Sequence, residues 1–411
     1  MQEYQYLIVG GGLAGGKACQ GIRDVDQDGS VGLITGEEHP PYHRPPLSKG
    51  FLKGEADLEK VYLDPEDAYR EMDVDLIEGV WVESIQPDDK TITLDNGDLV
   101  GYDRLLLATG GRANRLPLWG SELDGVFTLR NIEDARQIRE AAGPNVRALV
   151  LGGSFIGAEV TASLAQMGTM VVEIFPEARL LEHIAPEELS AHLQDMFESH
   201  NVRVLPGTVA ESLEGERAVR RAVLDTGERL DIDLVVMGVG IKLNSQLAQD
   251  AGLEVRQDGA VVVDEYLRTA NPDIFAAGDV TAYPDPQKDQ LLHVEHWDVA
   301  RGQGRTAGRN MAGEEQPYQD TPYFFSDMFE FSFEVWGDLT SWDDVIRRGD
   351  LEDGGFAYYY FDQGRLAGVL AVGRPEEERE AMPALVRRGP AQADVADQLR
   401  DEDFDLNQLV E

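Results

Sequence analysis

The chain has 411 residues, 42% of them apolar, and 43 glycines, enough for two or three domains of an α/β protein rich in tight turns. Seventy-seven acidic residues against 36 basic ones give a formal charge of −41, which opposes nucleic-acid binding and destabilises a compact chain unless salt screens it; a halophilic cytoplasm would account for it. No apolar run approaches the roughly 20 residues of a membrane-spanning helix, and the single cysteine, Cys19, excludes an internal disulfide, a CxxC redox pair and a cysteine zinc site.

The first strand begins by about Tyr4 and includes the buried run "YLIVG", which leaves no room for a leader and makes the cytoplasm the expected location. Gly10, Gly12 and Gly15 follow as GxGxxG, then a helical pattern holding Cys19. "DVDQDGSVGLIT" (24–35) matches the first half of a calcium loop, but its twelfth position is Thr35 rather than a bidentate Glu. It also runs straight into the strand "VGLIT", so it reads as an acidic turn. Glu37 closes this unit, 27 residues after Gly10.

The same order recurs later in the chain. "ALVLG" is a strand, Gly152, Ser154 and Gly157 stand in the finger positions, and "MVVEIF" is the next strand. In such a unit the first glycine makes the tight turn and the second admits a pyrophosphate. The third lets helix and strand approach, and the helix N-terminus stabilises the phosphates. An acid some 20 or more residues on accepts from ribose hydroxyls. Glu173 and Glu177 compete for that role, at 21 and 25 residues from Gly152. Aligning "VGLITGEE" with "VVEIFPEA" selects Glu177, because it falls on Glu37 while Glu173 falls inside the strand. Such an acid favours NADH over NADPH, with Arg179 nearby as a partial offset. The complete first finger suits a permanently held dinucleotide. The finger carrying Ser154 suits one that comes and goes, so a flavin and a nicotinamide are expected.

Four further motifs occur in order: "PPYHRPPLSKGFL" (40–52), "LLLATGGRANRLP" (105–117), "GGSFIGAEV" (152–160) and "IFAAGDVTAYP" (274–284). With them the chain resembles the FAD-dependent pyridine nucleotide oxidoreductases, in the branch of ferredoxin reductases and apoptosis-inducing factor. The resemblance implies FAD and NADH as cofactors. Arg44 would contact the FAD and Lys49 would sit beside its isoalloxazine. Thr109 and Gly110 would pass under the dinucleotide, and Gly278 and Asp279 would meet the ribitol chain. Glu159 would pair with Lys49 near the flavin N5, and Phe155 would lie beside the nicotinamide. Glu295, His296 and Trp297 would line the flavin's other edge. Gly240, in "GVGIKLN", is likewise implied as cofactor-binding, although Leu243 departs there from the family's proline. His293 and His296 have HxxH spacing without further ligands, so no metal site is expected.

The implied fold is two Rossmann-like dinucleotide-binding domains plus a C-terminal α+β domain. Residues 1–114 and 245–318 would form the FAD domain, 115–244 the NAD domain and 319–411 the third. From "TPYFFSDMF" onward, aromatic β-prone runs between Gly/Asp turns predict an antiparallel sheet, followed by acidic helices. The paired arginines there, Arg347/Arg348 and Arg387/Arg388, read as solvated surface. The expected activity is hydride transfer from NADH to flavin, then single electrons to a small iron–sulfur protein, a ferredoxin or Rieske-type partner. An NADH oxidase or quinone reductase and an NADH-responsive signalling flavoprotein are the alternatives. The expected assembly is a monomer or homodimer. The chain lacks the CxxxxC of disulfide reductases.

Overall fold

The computed structural model describes residues 1–286, 288 and 290–410. The chain divides into two compact units. One comprises Met1–His43, Asp57–Arg112 and Ile241–Pro322; the other comprises Arg44–Ala56, Ala113–Gly240 and Tyr323–Glu411.

The first unit is built on a sheet whose parallel strands run in the order Val74–Ile77, Val31–Ile34, Gln2–Val9, Leu99–Leu107, with Ile274–Ala276 paired beside the last. Thr91–Leu94 and Val82–Gln86 extend it antiparallel. The last four residues of Gln2–Val9 are all buried, as expected of a parallel strand covered on both faces. Val9 pairs with Ile34 and with Leu107, and Leu107 with Ala276, so the turns after four strands emerge on one edge. Over this sheet the helix Leu13–Val25 packs against Trp297–Met311. A Cβ on Gly304 would lie 2.3 Å from the Ala14 carbonyl oxygen, and one on Gly308 2.2 Å from that of Ala18, so glycine sets how closely the two helices pack.

The acidic segment 24–35 is a turn feeding the second strand. Asp26 Oδ1 accepts the backbone N–H groups of Asp28 and Gly29, Arg23 donates to the Asp26 and Gly29 carbonyls, and the strand starts at Val31.

In the second unit a parallel sheet runs in the order Arg203–Pro206, Met170–Phe175, Arg147–Leu151, Leu234–Met237, Val126–Thr128. Its registers level Leu151 with Ile174 and with Met237, which repeats the edge of the first unit. The same unit carries the C-terminal antiparallel sheet, in the order Tyr323–Met328, Phe331–Gly337, Arg365–Val372, Gly355–Asp362, Asp344–Asp350. Two acidic helices, Glu376–Arg388 and Gln392–Arg400, bury Met382, Leu385, Val395 and Leu399 against Trp336, Tyr359, Phe361 and Val369.

One expectation is corrected here. Arg348 is not solvated surface: it is 1% exposed, meets Glu378 at 2.9 Å and donates to the carbonyls of Gln398, Leu399, Asp401, Glu402 and Phe404. It gathers the chain end that no sheet or helix ladder satisfies. Arg347 pairs with Glu188 at 2.6 Å. Among the described residues no helix is long and apolar enough to cross a membrane.

Candidate functional site: two dinucleotide cradles and a buried carboxylate

The first cradle lies on the strand-end edge of the first unit. Gly10 has φ +120°, and a Cβ there would lie 2.1 Å from the Ala108 carbonyl oxygen. A Cβ on Gly15 would lie 2.0 Å from the Gly10 carbonyl oxygen, so the helix starts as close to the strand as backbone allows. At Gly12, the helix N-cap, a Cβ would meet nothing within 4 Å, and no side chain caps the helix. Open space over helix amides without a side-chain cap is what a pyrophosphate needs. FAD therefore fits this cradle.

The other residues implied for FAD in this unit stand around the same edge. Glu37 accepts from the Tyr42 hydroxyl. The Thr109 hydroxyl donates to the Asn244 carbonyl at 2.8 Å, and the Asn244 amide returns a bond to the Thr109 carbonyl at 3.0 Å. Asn244 N–H also reaches the Gly110 carbonyl, which pins this crossing despite Leu243. Gly278 N–H and the Thr281 hydroxyl both donate to Gln303 Oε1, fixing the turn that presents Asp279. His293 Nε2 lies 2.9 Å from the Asp279 carbonyl and 3.7 Å from Glu295. His296 stands at the N-cap position, without a capping side-chain bond, of the helix that begins at Trp297, whose indole N–H donates to His43 Nδ1 at 3.0 Å. Burial, with Lys17 nearby, holds His43 below its ordinary pKa and leaves Nδ1 free to accept.

Sequence reasoning missed Asn244, Gln303, His43 and Trp81. The last is a tryptophan 62% exposed whose ring fills the space a Cβ on Gly36 would take.

The second cradle repeats the backbone approaches of the first. Gly152 has φ +119° with its Cβ position 2.2 Å from the Gly238 carbonyl oxygen, and the Gly157 Cβ position is 1.8 Å from the Gly152 carbonyl oxygen. Ser154 takes the place of the open Gly12. Its hydroxyl turns back to the Gly238 carbonyl at 3.3 Å, so the substitution is accommodated without filling the turn. Gly10 N–H bonds the Ile34 carbonyl and Gly152 N–H the Ile174 carbonyl, which superposes Glu177 on Glu37. Gly240, φ +78°, lies beyond the neighbouring strand and accepts from Asn114 N–H. Phe155 packs edge-on to Phe324, centroids 4.8 Å apart. NADH fits this cradle by the same test.

Glu173 does not reach this edge. It is wholly buried under the finger helix, neither carboxyl oxygen has a hydrogen-bond partner, and Gly157 lies directly over it. Burial, with no hydrogen bond in place to relieve it, pushes its carboxyl up to about 8. The folded form thus holds a proton that the unfolded chain releases above its ordinary 4.5, and stability falls between those two values as pH rises. Glu173→Gln is expected to gain on the wild type by about 1.4 kcal/mol per pH unit across that window. Denaturant unfolding of both proteins at pH 5, 6.5 and 8 checks it; parallel curves would contradict it.

Arg44, Lys49 and Glu159 belong to the second unit. Arg44 donates to the Arg130 carbonyl. Lys49 Nζ meets Glu159 Oε1 at 2.7 Å and lies 5.5 Å from the Phe325 ring centroid. Glu159 is 4% exposed, and it also accepts from the Ser48 hydroxyl at 2.5 Å and the Ser326 hydroxyl at 2.6 Å. Ser163, one turn along the same helix, bonds the Ser48 carbonyl at 2.6 Å and holds the loop in place. Ser48, Ser163, Phe325 and Ser326 carry no signal of this in the sequence, since contact partners far along the chain leave no spacing to read.

A family model described as pyridine nucleotide-disulphide oxidoreductase matches residues 4–304, and one described as reductase C-terminal matches 323–410. The chain is 33% identical to the 3-phenylpropionate/cinnamic acid dioxygenase ferredoxin–NAD(+) reductase component of Photorhabdus laumondii, over 95% of this chain and 98% of that protein. The putidaredoxin reductase in the crystal structure of its covalent complex with putidaredoxin superposes with a TM-score of 0.93 and 31% identity, covering 100% of this chain and 99% of that one. A ferredoxin reductase for the CYP199A2 system of Rhodopseudomonas palustris gives 0.92 and 27%, covering 99% and 100%.

Proposed function

The chain belongs to the pyridine nucleotide-disulphide oxidoreductase family, and from that premise we propose that it is an FAD-dependent reductase carrying electrons from NADH to a small iron–sulfur protein of the ferredoxin type. The observation that carries the reading is the duplicated cradle, complete and open in one unit and modified by Ser154 in the other. The ferredoxin reductases among its relatives, alike over nearly the whole chain, support the choice of acceptor. Residues 1–114 with 245–318 are assigned to FAD, 115–244 to NADH and 319–411 to a third domain. The cytoplasm is the assigned location.

FAD, when bound, would supply the hydride-accepting and one-electron chemistry. The chain's part is to bind and orient. Gly10, Gly12, Gly15 and Glu37 would hold the adenosine and phosphate end of FAD, with Thr109, Gly110, Gly278 and Asp279 along it. Glu295, His296 and Trp297 would close the flavin edge, and Arg44 would supply a cation to the cofactor. Gly152, Ser154, Gly157 and Gly240 would receive NADH, with Phe155 beside its ring and Glu177 at its ribose. Lys49 and Glu159 stand at the reacting end. Cys19 is buried and its thiol is pushed up to about 12, so it offers no thiolate to the chemistry.

Turnover of NADH with a purified [2Fe–2S] ferredoxin, with oxygen and with a soluble quinone tests the reading. The ferredoxin is expected to be reduced fastest. Faster turnover with quinone or oxygen would transfer the chain to the oxidase reading, and slow turnover with all three to a signalling role.

NADH is expected to be preferred over NADPH. Arg179, the cation nearest Glu177 in sequence, lies 3.5 Å from Glu182, so its charge is partly engaged. Glu177→Ala is expected to narrow the preference in kcat/KM by about tenfold through lost repulsion of the extra phosphate, and Glu173→Ala to leave the ratio unchanged. Loss of discrimination in Glu173→Ala alone would reverse the assignment.

A further inference from the structure

We propose that Ser326, supplied by the C-terminal sheet, is a positioning residue for hydride transfer: it fixes the Glu159 carboxylate, and through it Lys49, in one arrangement. The proposal rests on the reading of Lys49 and Glu159 as the reacting end. A glutamate carboxyl turns easily about its last bond, and a lysine reaches its partner on a flexible four-carbon stem. An ion pair between them is therefore poorly fixed unless something else holds both ends. Here the two carboxylate oxygens are held by different parts of the chain. Ser48, in the loop, donates to Oε2 at 2.5 Å, while Ser326, nearly 170 residues after Glu159, donates to Oε1 at 2.6 Å.

Oε1 is the same oxygen that Lys49 meets at 2.7 Å. The Ser326 hydroxyl thus fixes the atom on which the ammonium rests. The residue before it, Phe325, lies beneath that ammonium. Two consecutive residues of the strand Tyr323–Met328 therefore grip both members of the pair. The next, Asp327, is engaged elsewhere, accepting from Ser332 at 2.6 Å, so it brings no competing carboxylate to the pair. Ser326 itself is 1% exposed. A hydroxyl so buried needs an acceptor, and the one it has is the carboxylate. The C-terminal sheet is in this sense a working part of the site as well as a packing module.

The test is made on holoenzyme, with Ser326→Ala, Ser326→Thr and Glu159→Gln and the two double variants. Anaerobic stopped-flow reduction by NADH separates the limiting rate from the apparent Kd. Ser326→Ala is expected to lower the limiting rate by about fivefold to tenfold, the scale of one charge-assisted hydrogen bond partly lost, with the Kd for NADH and the bound FAD unchanged. Ser326→Thr restores the rate. In the Glu159→Gln background the effect of Ser326→Ala disappears. Thermal unfolding of the same set, which needs no turnover, is expected to show the same non-additivity. A limiting rate in Ser326→Ala equal to wild type, or effects that add in full to those of Glu159→Gln, would overturn the proposal. If Glu159→Gln and Lys49→Ala also reduce at the wild-type rate, the reading of the pair itself fails, and that outcome is distinct from failure of Ser326 alone.

Discussion

Gly157→Ala is expected to leave the protein yellow but to raise the NADH concentration for half-maximal flavin reduction by about a hundredfold, the upper scale of an overlap that only a backbone shift can relieve. A methyl there would sit 1.8 Å from the Gly152 carbonyl oxygen, and both partners are backbone, so no side chain can swing away. The finger helix must withdraw from its strand, carrying its amides away from the phosphates. Gly15→Ala imposes the same overlap, 2.0 Å from the Gly10 carbonyl oxygen, on the other cradle. It is expected to yield protein with little FAD. Gly12→Ala, whose Cβ would meet nothing of the protein within 4 Å, is the control for folding. FAD content by absorbance and a titration of NADH against flavin bleaching separate the three. Loss of FAD from Gly157→Ala with retention in Gly15→Ala would exchange the cofactor assignments.

Arg348→Ala is expected to destabilise the C-terminal region by about 3–5 kcal/mol, the scale of removing one partner from a buried ion pair. The loss strands Glu378 and the carbonyls of the 398–404 segment that the guanidinium now satisfies. Arg374, at 2.7 Å from Glu378, retains part of the charge balance there, which argues for the lower end of that range. Arg348→Lys is expected to recover little, because an ammonium has three donors and no planar fork. Guanidinium unfolding followed by tryptophan fluorescence is the check, with Trp336 buried against these helices as the reporter. A variant within 1 kcal/mol of the wild type would show the segment to be held by its apolar contacts alone.

Both nucleotide cradles were legible in the sequence because their constraint is on backbone. Only glycine tolerates the φ of Gly10 and Gly152, or the approach at Gly15 and Gly157, so the pattern survives in composition and spacing. Glu177 was aligned on Glu37 from the repeat alone, and the paired strand-end hydrogen bonds give the same register. Lys49 and Glu159 could be put together only through a family resemblance. The residues around them, Ser48, Ser163 and Ser326, are ordinary serines until the fold gathers them. Arg348 was misjudged because a paired arginine on an acidic chain looks like surface, and its acceptors are carbonyls some 50 residues on. Glu173 shows the converse. An acid inside a strand reads as a poor ribose ligand, and the structure finds Glu173 wholly buried, but nothing in the sequence marks it as a buried neutral group.

The most direct test of the account is an anaerobic titration of the purified yellow protein with NADH in high salt, followed by addition of oxidised [2Fe–2S] ferredoxin. One equivalent of NADH per chain is expected to bleach the flavin band fully, and the ferredoxin to restore it while becoming reduced. A well-folded protein that holds no FAD, or one whose flavin NADH cannot bleach, would contradict it.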